Sequence, residues 1–273
     1  MVQMKYETLP DGHKVPVLGL GTSGIGGSML ADRSHDESYK HALRSAVEIG
    51  YRLFDTAELY GRGHTEELLG EVLSGYRRED FFIITKVSPM HLRYRKVIRA
   101  LEGSLKRLQT DYVDLYLIHW PNRLARYEET FEALNHLVER GQVHYLGVSN
   151  FDLELLKRAR RLSEAPIVAN QVPYSVRERK YVDNGVLPYC QENGILVIAY
   201  SPLKGGVLRS RTVREIAGER GVTPAQVALN WLARQPSIIT IPKSTDERHQ
   251  KANIKAVDIN LSEKDVERLD RSS

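Results

Sequence analysis

Little in this chain is suited to cross-linking, crossing a membrane or gripping a metal. Of its 273 residues one is a cysteine, Cys190, so no internal disulfide can form and a reducing compartment suits it. A lone cysteine of this kind is ordinarily a small buried residue. No apolar run approaches the ~20 residues of a membrane span, and no N-terminal stretch has the make-up of a signal peptide. A cytoplasmic protein without a membrane partner is therefore expected. Histidine, cysteine and acidic residues nowhere show metal-ligand spacing, so no metal site is expected. There is little charge of either sign in excess, since 39 basic against 35 acidic residues leave +4. The basic runs Arg93–Lys96 and Lys157–Arg161 fall in helical patterns and read as solvated faces, not as a nucleic-acid footprint. Linkers and low-complexity tracts are missing too, which makes residues 1–273 one domain.

What is present is an alternation. Lys5 to Val15, turning at Asp11-Gly12, predicts a short β-hairpin. After it, short and almost wholly apolar segments recur: Val17–Gly21, 52–55, Phe81–Lys86, Val113–His119, Val143–Ser149, Ile167–Gln171, Ile195–Tyr200 and Ser237–Ile241. Helix-period stretches separate them. Ser34 has capping-box spacing to Glu37, Thr65 is placed to cap a helix over Glu66–Leu73, and Pro224 follows Thr223 at a favoured first helical position. Strands apolar on both faces belong to a parallel sheet covered by helices. Eight strand–helix repeats fit a closed (β/α)8 barrel of the TIM type better than an open sheet.

Gly19-Leu-Gly21-Thr-Ser-Gly24 matches the dinucleotide fingerprint, but its context does not. A polar segment, Ser28–Arg33, precedes any helix, and Asp55 lies more than 30 residues past Gly24, where ~20 are needed. These glycines are expected to turn the chain at the barrel mouth. Gly147-Val-Ser149-Asn-Phe151 likewise has phenylalanine where a nucleophile elbow has its second glycine.

The strand ends carry the chemistry, because in a barrel of this kind the C-terminal ends converge on one face. There the sequence places Asp55 with Tyr60 just beyond it, then Lys86, His119, Ser149-Asn150, Asn170-Gln171 and Tyr200-Ser201. A lysine or a histidine at a single strand end has an ordinary structural reading. Four such groups on consecutive strands suit proton transfer to a carbonyl oxygen. A phenol with a pKa near ~10 exchanges protons poorly at neutral pH. An ammonium at ~4 Å in an effective dielectric of ~20 contributes about 4 kcal/mol, enough to bring the phenol down by ~3 pH units before desolvation is discounted. Lys86 is thus expected to bring Tyr60 toward neutrality. Asp55 keeps Lys86 charged, and His119 donates to the substrate oxygen or relays the proton. None of these groups supplies a hydride, which a cofactor would have to bring.

With Gly19–Thr22, Gly50–Gly61, Ile84–Lys86, Ser104–Pro121, Gly147–Phe151, Asn170-Gln171, Tyr200–Leu203 and Ile241–Ser244, the chain resembles the aldo-keto reductases over nearly its whole length. The resemblance implies NADPH-dependent reduction of an aldehyde or ketone, with Asp55, Tyr60, Lys86 and His119 as the catalytic tetrad. It also implies a carboxamide site at Ser149, Asn150 and Gln171, a nicotinamide stack on Tyr200, and pyrophosphate contacts from Ser201, Pro202 and Leu203. Lys243, Ser244 and Thr245 would meet the 2′-phosphate, with Arg248, His249 and Asn253 on the adenosine side and Gly21, Thr22, Ser23 and Asp55 completing the set. A helix start beside Lys243 suits an anion on its own physics. His249 stands six residues after Lys243, where many relatives carry arginine, so NADH is a weaker alternative cofactor. Ile25, Tyr60, His119 and Trp120 are expected around a small-molecule carbonyl substrate, in a monomer. The alternative is a nicotinamide-binding regulatory module on the same scaffold.

Overall fold

Alternation along each strand decides which side chains meet inside the barrel. The computed structural model describes residues 3–272, leaving Met1, Val2 and Ser273 of the expected domain outside. A hairpin, β1 (Tyr6–Thr8) and β2 (Lys14–Pro16), pairs antiparallel. Eight parallel strands follow: β3 (Leu20–Gly21), β4 (Leu53–Asp55), β5 (Phe82–Val87), β6 (Val113–Ile118), β7 (Val143–Ser149), β8 (Ile167–Pro173), β9 (Leu196–Tyr200) and β10 (Ile238–Thr240). Each pairs with its successor in sequence. The first and last then join: Gly19 N donates to the Thr240 carbonyl and Thr240 N to that of Val17, both at 2.9 Å, with Leu18 bridged to Thr240. The result is a (β/α)8 barrel.

Successive strand residues face opposite sides, and the core divides accordingly. Leu53, Phe82, Ile84, Leu115, Leu117, Ala169, Leu196 and Ile198 pack inside the barrel, with Leu9 and Val15 of the hairpin segment. Phe54, Ile83, Val87, Tyr116, Ile118, Val148 and Val197 face the helices. The hairpin thereby closes the N-terminal end. Continuing the inner rows by two residues puts Asp55 above Leu53, Lys86 above Ile84 and His119 above Leu117. A two-residue repeat therefore delivers the polar groups to one end of an apolar tube.

The helical layer shows where local signals were followed and where they were not. Thr223 and Gln226 form a capping box at Pro224–Ala233, as Ser262 and Asp265 do at Glu263–Asp270. Ser34 caps nothing: its hydroxyl donates to Asp32 at 2.5 Å, and the helix Asp36–Ile49 begins after His35. Thr65 is not a cap either. Its helix, His64–Leu73, starts a residue earlier, and its hydroxyl donates to the Ile25 carbonyl instead. The helix Arg211–Arg220 has no counterpart in the sequence reading, since its apolar stripe is only Val213, Ile216 and Ala217. Cys190 is buried, and burial pushes its thiol up to about 12, the condition of an inert packing residue. No helix among the described residues is long and apolar enough to cross a membrane.

Candidate active site

At the C-terminal mouth of the barrel lies a cleft of 640 Å³. Its floor is a buried charge pair. Lys86, fully buried, donates from Nζ to Asp55 Oδ1 at 2.8 Å and to the Thr56 carbonyl at 2.7 Å, and lies 3.4 Å from the Tyr60 hydroxyl. The other Asp55 oxygen accepts from Gln171 Nε2 at 2.7 Å. Every polar atom of the pair is thus engaged, which is what allows such charges to be buried.

Burial pulls the Lys86 ammonium down, but Asp55 and Tyr60 together more than offset this and raise it above its ordinary range. For Tyr60 the sequence expectation is corrected. Burial pushes its phenol up, Lys86 pulls it down, Asp55 pushes it up again, and the balance lies above the usual value. Desolvation, which a sequence cannot supply, wins over the ammonium. Tyr60 therefore rests as a neutral O–H donor.

His119 stands against Tyr60 in an edge-to-face contact, 5.6 Å between ring centroids. Burial, with Lys86 nearby, lowers its pKa to about 3, so the imidazole is neutral at physiological pH. The sign of the linked stability follows. An unfolded histidine binds a proton below about 6.5 while this one does not until about 3, so stability present above about 6.5 is lost as the pH falls through that window, by up to about 1.4 kcal/mol per pH unit. His119→Phe is expected to flatten that acid dependence. Urea midpoints measured at several pH values for both proteins check this, and parallel curves would mean that the histidine is solvated.

Around the floor, the strand ends carry amides and hydroxyls. Ser149 donates to the Gln171 carbonyl at 2.9 Å, Asn150 Nδ2 to Ser149 Oγ at 2.8 Å, and Tyr200 to Asn150 Oδ1 at 2.9 Å. Asn150 and Ser201 both hold left-handed backbone, with φ of 63° and 54°, a conformation costly for non-glycine residues and concentrated at functional sites. Gly21 lets β3 pack close to its neighbour β10 where the barrel closes, since a Cβ there would sit 2.7 Å from the Ile241 carbonyl oxygen.

Of the residues singled out from sequence, Gly21, Ser23, Asp55, Tyr60, His119, Trp120, Ser149, Asn150, Gln171, Tyr200, Ser201, Pro202, Leu203 and Lys243 line this cleft. Thr22 lies just beneath, its hydroxyl on the Asp55 carbonyl at 2.8 Å. Ser244, Thr245, Arg248, His249 and Asn253 do not line it and sit at and within the helix Glu247–Ile254. There Asp246 caps the Arg248 and His249 amides and takes the Arg248 guanidinium at 2.9 Å. Ile25 is not a wall: it is fully buried in the core outside the barrel, because the turn at Gly24 and Gly26 (φ 82° and 73°) directs the chain inward. Asn170 faces away from the cleft, its amide on the Phe151 carbonyl at 3.0 Å. Ser28, Met29, Leu59, Lys204, Ile241 and Pro242 complete the lining. Ser28, Met29 and Lys204 come from loops without a motif, and only their place just after strands that carry site residues could have marked them, whereas Leu59, Ile241 and Pro242 fall within the Gly50–Gly61 and Ile241–Ser244 stretches.

Residues 17–273 match the model of the aldo/keto reductase family. Methylglyoxal reductase of Escherichia coli is 36% identical over 99% of this chain and 95% of its own length. Glyoxal reductase of Bacillus subtilis is 35% identical over 96% and 90%. Among solved structures, a thermostable aldo-keto reductase complexed with the inhibitor epalrestat superposes with a TM-score of 0.96 at 47% identity, covering 99% of this chain and 100% of that one. An aldo-keto reductase from Klebsiella pneumoniae in complex with NADPH gives 0.88 at 35% identity, covering 99% and 95%. A barrel with this polar floor and these relatives belongs to the aldo/keto reductase family.

Proposed function

We propose that this protein reduces neutral aldehydes and ketones to alcohols with NADPH, using Tyr60 as the general acid. The observation that carries this reading is the Tyr60 hydroxyl at the foot of the cleft, 3.4 Å from a buried Lys86 that Asp55 holds in place. The phenol keeps its proton until a carbonyl oxygen accepts it. Lys86 then lies where negative charge develops on Tyr60, already oriented and desolvated, which is the arrangement that lowers a barrier most. Neutral His119 donates an N–H to the same oxygen and orients the carbonyl.

The cleft suits the cofactor. Ser149, Asn150 and the free Oε1 of Gln171 would hold a carboxamide, and the half-buried ring of Tyr200 would cover a flat heterocycle. Ser201, Pro202, Leu203 and Lys204 follow along the wall toward Lys243, which with Ser244 and Thr245 would meet a phosphate. When bound, NADPH supplies the hydride for the carbonyl carbon. Arg248 would have to leave Asp246 to reach such a phosphate, so NADH remains a weaker alternative.

The substrate end is apolar. Met29, Leu59 and Trp120 flank Tyr60 and His119, and the charged lining residues are Asp55, already paired, with Lys204 and Lys243 from the segments after β9 and β10. With Lys243 assigned to the cofactor phosphate and Lys204 to the wall leading to it, no lining cation stands beside Met29, Leu59 and Trp120 for a substrate carboxylate. The relatives named for methylglyoxal and glyoxal support small reactive dicarbonyls as substrates, and the walls support larger apolar aldehydes as well. A carbonyl panel run with NADPH and with NADH tests the reading. Matched aromatic aldehydes with and without a distal carboxylate should differ at least ~10-fold in kcat/KM in favour of the neutral one, the cost of an uncompensated charge. Tight NADPH binding with no turnover on any carbonyl would instead indicate a regulatory module.

A further inference from the structure

Tyr60 and Lys86 come from different elements, and their contact is only as well defined as the joint between those elements. Lys86 sits within β5. Tyr60 sits in a loop and a 3-10 turn, Tyr60–Gly63, where Gly61 and Arg62 both have φ of 54°, and the backbone bonds of residues 60–62 run to the Ala57, Ser28 and Leu59 carbonyls, none of which belongs to β5. Two carboxylates outside the tetrad close the joint, one on each side of Tyr60. Glu58 accepts from the Ser88 amide at 2.5 Å and from His91 Nδ1 at 3.0 Å. Glu66, fully buried, accepts from the Thr85 hydroxyl at 2.6 Å. Residues 58 and 66 bracket Tyr60, while 85 and 88 bracket Lys86.

Arg107 reinforces the rear anchor. It donates to Glu66 Oε2 from Nε at 2.8 Å and Nη2 at 2.7 Å. Its side chain also lies against the end of the turn, where a Cβ on Gly63 would meet Nε at 2.5 Å. Burial raises the Glu66 carboxyl while Arg107 and Thr85 lower it, leaving a net rise. Such an expense at a point with no access to the cleft calls for a purpose. A buried carboxylate with a guanidinium partner is an inefficient way to gain stability but an effective way to fix one geometry.

We infer that Glu58, in the Tyr60 loop, and Glu66, in the helix that follows it, are positioning residues, which stitch the chain on both sides of Tyr60 to β5 and the residue just past it and so set the Tyr60–Lys86 separation. This rests on the catalytic reading of Tyr60 and Lys86 given above. Neither carboxylate touches the cleft floor; each acts through the hydroxyl–ammonium contact between its bonds. Loosening either bond lets that contact open, and Lys86 then pulls less on the phenol.

Thr85→Val, Glu66→Gln and Glu58→Gln test this. Thr85→Val keeps shape and leaves the Glu66–Arg107 pair whole, so it covers the case in which Glu66→Gln fails to fold. The first readout needs no turnover: NMR titration of tyrosine labelled at Cζ, with Tyr60→Phe identifying the resonance. The Tyr60 midpoint should move up by about half a pH unit or more in the variants. The second is kinetic, with kcat expected to fall at least ~10-fold while NADPH affinity by fluorescence titration holds. An unmoved Tyr60 midpoint in all folded variants would overturn the inference, whatever their melting temperatures. A wild-type protein that turns over no carbonyl would sink the catalytic reading separately, and the titration would still decide whether the stitch sets the contact.

Discussion

Tyr60→Phe is expected to lower kcat for carbonyl reduction by ~10²-fold or more while leaving the fold and cofactor affinity nearly intact. The substitution removes one oxygen and little packing. The phenyl ring would keep its edge-to-face contact with His119 and its place 5.0 Å from the Lys86 ammonium. What is lost is the hydroxyl that lies 3.4 Å from Lys86 Nζ. His119 cannot take over as a cationic acid, because its pKa is held to about 3. Steady-state kinetics with NADPH and a reactive aldehyde, together with NADPH fluorescence titration, provide the check. Equal turnover in the variant would sink the acid role.

Lys86→Met should do more, since it damages both chemistry and stability. In the folded protein Lys86 satisfies one oxygen of a buried carboxylate and one backbone carbonyl. Removing it leaves Asp55 with Gln171 alone, and breaking a buried pair from one side costs about 3–5 kcal/mol. Turnover should fall by ~10²-fold or more as well, because negative charge developing on Tyr60 loses its nearest cation. Adding Asp55→Asn separates the two losses. With no charge left unpaired, the double variant should recover most of the stability and none of the activity. Denaturant unfolding and kcat on the wild type and both variants measure this. A stable Lys86→Met protein with wild-type turnover would remove Lys86 from the mechanism.

Much of the site was legible because its residues obey the two-residue period of a strand. Asp55, Lys86 and His119 each end an apolar segment in the inward row, so spacing alone put them at one end of the tube. Tyr200 and Ser149 follow from the same count. Gln171 lines the cleft, but its amide nitrogen is committed to Asp55, a bond between β4 and β8 that no local pattern encodes. The errors share a cause. Ser34 and Thr65 have the residue types of caps, yet competing partners, Asp32 and the Ile25 carbonyl, hold their hydroxyls. Ile25 looked like a wall because it follows the mouth glycines, and the turn there buries it.

The sequence by itself determined the barrel, the hairpin, the order of the strands and the identity of the groups at their ends, because hydrophobic periodicity and chain order act locally and need no knowledge of neighbours. Tertiary structure decided the quantities that depend on what surrounds a group. Burial outweighs the Lys86 ammonium and keeps the Tyr60 phenol above its ordinary range, and burial with Lys86 nearby keeps His119 neutral. A loop without a motif brings Ser28 and Met29 to the cleft. Glu58 and Glu66 meet the strand that carries Lys86 across about 20 to 30 residues of chain. Desolvation and long-range contact are properties of packed volume, and a linear chain has neither until it folds.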